Sequence, residues 1–319
     1  VTGRGWVAAL GFAWACAPTP RAPAVSTQPL QAADLLTVDL DFVIRVDTER
    51  LRASEAFTGL FDRLSRHEAS GLFRSLRPRL ERSRAVLFGG RILADGFHGD
   101  GILIVEGGPD DPAPDPGFLP MLDQPPSAHD FASPRRGVRL FERTGGSRAD
   151  AVLEAHLMTG GVALATAAEA DAVLRIARDG PDKGRLEPRA HGVLSFAGRA
   201  FASSAADAQE KDLWRKLARG LRHYEGSVEL IDGIEAEVDL EYDSAADATE
   251  AAAWSGTLVA RLGLGEKPLR TLADSVHLSP RDENLGIRFK VPLDLLGALD
   301  WSKLASTRID DEIPSAAKP

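Results

Sequence analysis

A chain of 319 residues with 44% hydrophobic residues can bury a substantial core, in one large domain or two smaller ones. Its net charge of −9 argues against a general nucleic-acid footprint, which needs a basic patch or stripe. Cys16 is the only cysteine, so internal disulfides and cysteine-based zinc sites are excluded.

In chain order, the first fifteen residues read as a targeting segment. Arg4 is their only charge, and residues 6–15, WVAALGFAWA, form an apolar run of ten. That is the length of a signal-peptide core and too short to span a bilayer as a helix. Ala13, Trp14 and Ala15 then place small residues three and one positions before Cys16. The motif resembles the lipobox of bacterial lipoproteins, with Ala13 where that class usually has leucine. The resemblance implies that Cys16 becomes the lipidated first residue of the mature chain and holds it to a membrane. Ala17 in place of aspartate implies sorting to the outer membrane, facing periplasm or surface. The alternatives are ordinary cleavage after Ala15, which leaves an exposed thiol in an oxidising compartment, and a plain buried N-terminal strand or helix. Residues 17–33 carry four prolines and one charge, so 16–33 reads as an extended tether. No later apolar run reaches membrane-spanning length, and the body is expected to be soluble.

The body opens with a clean alternation over 36–46, where Leu36, Val38, Leu40, Phe42, Ile44 and Val46 share one parity, predicting a strand. Phe57, Leu60, Phe61 and Leu64 give a helical face, and a second helix over 70–77 ends at Pro78. Strands are predicted at 84–93 and 98–106. The stretch 107–135 has eight prolines, five aspartates and no period, and reads as a linker or functional loop. Strands follow at 138–143, 151–157, 161–165, 192–198 and 227–231. A clean alternation returns at 234–242 through Ile234, Ala236, Val238, Leu240 and Tyr242. A strand at 275–279 precedes the last, 285–291, with Leu285, Ile287, Phe289 and Val291 on one face. The tail 306–319 reads as disordered.

Three helix starts repeat among these strands. Thr166, Ser204 and Ser244 are each followed by two alanines and an acid, Glu169, Asp207 and Asp247. The hydroxyl suits an orphan helix N–H, the acid suits the positive helix end, and Thr166 with Glu169 has the form of a capping box. After Ser204 the helical face is Leu213, Trp214, Leu217 and Leu221; Trp214 and Trp254 both fall ten residues past their serine. A second echo links VIRVDTERL (43–51) with RFKVPLDLL (288–296), both reading from strand straight into helix. Degenerate strand–helix repetition accounts for these echoes. The plainer alternative is that alanine-rich helices converge on the same cap. The predicted fold is α+β, a mainly antiparallel sheet with helices packed on one face, in units 34–106 and 136–305. This arrangement resembles bacterial envelope lipoproteins with duplicated α+β modules, a likeness that implies no activity.

Catalytic templates are missing: His67-Glu68 has no second histidine at metalloprotease spacing, and no G-x-S-x-G, P-loop or Rossmann glycine pattern occurs. His98 and Asp100 in FHGDG share a strand face, but Asp-Gly there reads as a turn. Asp110, Asp111, Asp115, Asp123 and Asp130 lack the spacing of a calcium loop. Trp214, Trp254 and Trp301 read as core, and His129, His156, His191, His223 and His277 are dispersed. No catalytic residue, metal or cofactor is therefore expected.

Two surfaces remain as binding candidates. One is the apolar insert of the proline-rich loop around Phe118 and Met121, which docks on a partner or back on its own domain. The other is the acidic face of the 234–242 strand, Glu235, Glu237, Asp239, Glu241 and Asp243, joined by Asp39, Asp41 and Asp47 and offset by Arg45, Arg288 and Lys290. Pairing of 285–291 with 234–243 would neutralise part of that row. The expectation is a non-enzymatic envelope lipoprotein that scaffolds or binds another envelope component. The alternative is a periplasmic binding module for a small or peptidic ligand, and a hydrolase ranks third.

Overall fold

The computed structural model describes residues 28–54, 82–92, 100–107, 130–135, 137–142, 151–199, 217–231, 233–265, 267–292 and 295. Twelve strands form one sheet in which every neighbouring pair is antiparallel. They are β1 (Phe42–Asp47), β2 (Ser83–Gly90), β3 (Gly101–Gly107), β4 (Asp130–Arg135), β5 (Val138–Glu142) and β6 (Ala151–Leu157). The rest are β7 (Gly161–Thr166), β8 (Leu194–Arg199), β9 (Leu221–Leu230), β10 (Gly233–Tyr242), β11 (His277–Arg281) and β12 (Asn284–Pro292). Their spatial order is β11-β12-β10-β9-β8-β1-β2-β3-β7-β6-β5-β4. The first strand thus sits mid-sheet between β2 and β8, and the sheet runs unbroken through both expected units.

Four helices accompany the sheet among the described residues: α1 (Thr48–Ala53), α2 (Ala167–Asp179), α3 (Ala245–Gly263) and α4 (Lys267–Ser275). The predicted one-faced packing gives way to helices on opposite faces at the two ends. Ala236, Leu240 and Tyr242 turn the even face of β10 toward α3, where Tyr242, Leu285, Ala248 and Ala251 form one core. Antiparallel register carries that face through Val228, Leu194, Val46 and Val86 to Val105. The main core lies on the other face, where Val43, Ala85, Ile104, Ala163 and Ala155 meet Val173 and Ile176 of α2. Residue chemistry fixes the choice. Alternate positions of β10 are charged and admit no apolar helix, whereas Ala163, Ala165 and Ala155 let α2 approach closely.

The first predicted strand is shorter than its alternation. Only its last residues pair, as β1; a 3-10 turn covers Ala32–Leu35. Leu35, Leu36 and Leu40 are fully buried instead in the core beneath α2, and Leu40 packs over Gly89, where a Cβ would come within 2.6 Å of it. Asp39 and Asp41 therefore leave the charged face: Asp39 lies 3.7 Å from Arg91, and Asp41 accepts the Ile92 N–H at 2.7 Å.

Two of the three repeated helix starts fall on described residues, and both are helix N-termini. Ser244 caps α3, accepting the Asp247 N–H at 3.2 Å while its hydroxyl donates to the Asp247 carboxylate at 2.5 Å. The capping box at α2 does not form. Thr166 Oγ1 accepts the Gly101 N–H at 3.0 Å, and fully buried Glu169 turns inward to accept from Thr37 Oγ1 and Arg91 Nε. The Ser204 start lies outside the described residues, as do the predicted helices at 57–64 and 70–77. Leu221, expected on a helix, opens β9, while Leu217 stays helical and packs on the α3 core. At 107–135 the expected loop ends in a strand: 130–135 pairs with β5 as the outermost strand β4.

Candidate functional site

The expected acidic row is real and lies on the sheet face opposite α3. Period-two geometry puts Glu235, Glu237, Asp239 and Glu241 on one side of β10. The ladders then set Lys290 opposite Glu235 and Arg288 opposite Glu237, the strand pairing expected from sequence; of these two bases Arg288 ion-pairs with its acid. On the other flank Glu229 stands opposite Glu235, Ser227 opposite Glu237, Glu225 opposite Asp239 and His223 opposite Glu241.

Like charges placed opposite one another repel, and the surroundings offset most of this. Arg288 bonds Glu237 at 2.5 Å and Arg222 bonds Glu241 at 2.5 Å. Arg189 bridges Glu225 and Asp239, the latter at 3.0 Å; Arg50 reaches Glu229 at 3.1 Å, with His191 3.9 Å from the same carboxylate. The hydrogen bond to Glu237 holds the Arg288 guanidinium above its ordinary pKa, and Glu225 does the same for Arg189. Arg189, Arg222 and Arg50 were not legible as partners, because they come from a loop, a neighbouring strand and α1.

Glu235 is the exception in the row: among the described residues it makes no ion pair or hydrogen bond, and neither does Lys290. Both edge a groove of about 420 Å³ whose other walls include His191 and His277 and whose floor includes Ser227. Beside Ser227 in register is Ser195, fully buried, its hydroxyl without a hydrogen-bond partner among the described residues. The sheet thus presents an acidic flank on β9–β10 and a basic one on β12, which suits reversible ionic binding. No group of three or more metal-ligating side chains occurs among the described residues.

Other candidates stand elsewhere. Cys16, Phe118, Met121, Trp214 and Trp301 lie outside the described residues, as does His98. Asp100 is described, and its backbone carbonyl accepts the Arg91 N–H. Trp254 is half-buried on α3. Sequence reading missed a buried pair on β6: His156 Nε2 lies 2.6 Å from Glu154 Oε1, with the residues 6% and 1% exposed. Their spacing of two on a strand was the available signal. Register partners Val162 and Leu164 make this an internal polar contact far from the groove.

No protein-family model matches the chain, and no curated protein matches it. Among solved structures, the chain is similar to TP0453 in crystal form III, at 12% identity and a TM-score of 0.49, over 86% of this chain and 98% of that one. Crystal form IV of TP0453 gives 11% identity and a TM-score of 0.48, over 84% and 96% of the two chains. No helix among the described residues is long and apolar enough to cross a membrane.

Proposed function

We propose that this protein is a non-enzymatic lipoprotein of the bacterial envelope, held to the outer membrane by a lipid on Cys16, that binds another envelope component on its charged sheet face. The anchor rests on the apolar run and the Ala13-Trp14-Ala15-Cys16 motif. The observation that carries the binding role is the β10 row of four acids, in which Glu235 and Asp239 face Glu229 and Glu225 on β9 while Glu235 and Glu237 face Lys290 and Arg288 on β12. A face of this kind selects partners by charge pattern and releases them with salt. Phe118 and Met121 supply a second, apolar contact from the proline-rich loop.

The same reading includes growth of the sheet by duplication of strand–helix units. Supporting it, β7 enters α2 and β10 enters α3 at matching threonine and serine positions. Both outermost strands also contain Ser-Pro-Arg, at 133–135 and 279–281, each followed by a two-residue turn into the next strand.

The test is crosslinking capture from intact envelopes with the full chain and with a Glu237→Lys/Glu241→Lys variant. Loss of a specific crosslinked component in the charge-reversed protein, and its release from the parent by salt, is the expected result. A component captured equally by both proteins would contradict binding on this face.

A further inference from the structure

We infer that the groove on the charged face is a binding site for a short zwitterionic peptide, whose amine sits against Glu229 and Glu235 and whose carboxylate sits against Lys290 and His277. This deepens the binding role proposed above by naming a ligand class for one part of that face.

Four observations converge on it. The space of about 420 Å³ lies within the range of small-ligand sites and is bounded on opposite sides by His191 and His277. Its three glutamates, Glu229 on β9 and Glu235 and Glu237 on β10, face Arg288 and Lys290 on β12. Glu237 is held by Arg288 and Glu229 by Arg50, which leaves Glu235 and Lys290 as the unpaired charges of the lining among the described residues. Adjacent strands are about 4.8 Å apart, so the midpoint between Glu229 and Glu235 is roughly 7 Å from Lys290 on β12. That separation fits the termini of a peptide of about two or three residues and exceeds that of a single amino acid.

The third observation is the selective pairing of the row. Glu237, Asp239 and Glu241 are each held by an arginine, whereas Glu235 and Lys290, directly opposite each other, hold no partner among the described residues. One acceptor and one donor are thus left unengaged at the two ends a zwitterion needs. The fourth is the floor. Ser227 lines the groove at 7% exposed, between Glu229 and Glu237. A hydroxyl there can donate to or accept from a polar guest. Ligand and protein charges here remain near water, so affinity is modest, with a Kd on the order of 1 mM.

The test is an NMR titration of the full chain with triglycine, N-acetyl-triglycine and triglycinamide. Saturable shifts on β10 and β12 with triglycine, weakened about tenfold or more by blocking either terminus, are expected. Glu235→Gln is expected to abolish the preference for a free amine, and Lys290→Gln the preference for a free carboxylate, with the thermal midpoint unchanged in both. Equal response to all three probes, or no saturable shift at 20-fold above the expected Kd (about 20 mM), would overturn the inference. If triglycine fails while a crosslinked envelope component is still lost on β10 charge reversal, the peptide site falls and the proposed binding role stands. The converse pattern removes the macromolecular partner and leaves the peptide site.

Discussion

At the residue scale, Glu169 joins the parts of the N-terminal half. It is fully buried at the start of α2, and its carboxylate accepts from Thr37 on the segment before β1 and from Arg91 just after β2. Arg91 in turn lies 3.7 Å from Asp39, and its guanidinium is held above its ordinary pKa chiefly by the Glu169 hydrogen bond. Removing this carboxylate would leave the buried Thr37 hydroxyl without this acceptor and the Arg91 guanidinium with only the more distant Asp39 beside it. Glu169→Ala is therefore expected to destabilise the protein by roughly 2–4 kcal/mol in urea unfolding. A loss below about 0.5 kcal/mol, the size of a surface change, would show that water replaces it freely. The sequence marked this glutamate as a helix cap because Thr166 stands three residues before it. Its real partners, 132 and 78 residues away, leave no local signal.

At the element scale, β11 and β4 are the two outermost strands of the sheet, each with no further strand paired to it among the described residues. Arg281 and Asn284 close a two-residue turn in which Asp282 takes a φ of +49°. The closing pair of such a turn exchanges hydrogen bonds, so the next pair, Pro280 with Leu285, does not, and the Pro280 nitrogen faces the open edge. Pro134 stands just before Arg135, which pairs with Val138, inside an irregular stretch of β4 between Phe131 and Arg135 that itself interrupts the ladder. A proline on a free edge removes a donor that an incoming strand would need. Pro134→Val with Pro280→Val is expected to shift sedimentation toward dimers and larger species with rising concentration. Unchanged sedimentation relative to the parent would show that other features protect the edges. Strand positions were legible because alternation is intrinsic to a half-covered strand, as in 234–242. The face each helix covers was not, since parity becomes a face only once register is set, as with Ala236 against Val228 and Phe289.

At the scale of the whole molecule, β1 pairs with β8 across about 150 residues of chain and with β2 on its other side. The two helical layers lie on opposite faces, so each end of the sheet keeps one face without a described helix. At the β9–β12 end that face is charged, and the protein's proposed binding chemistry is there. The acids of that face and the pairing of Arg288 with Glu237 were readable from sequence, while the contributions of Arg50, Arg189 and Arg222 and the groove itself required the fold. The proposed function places this face beside envelope partners through the anchor, which makes lipidation of Cys16 its central claim. The direct measurement is metabolic labelling with an alkyne fatty acid, followed by membrane fractionation, of the parent and Cys16→Ser proteins. Label on the parent, none on the variant, and release of the variant from the membrane fraction are the predicted results. An unlabelled parent, or a variant that fractionates with the membrane as the parent does, would contradict the account.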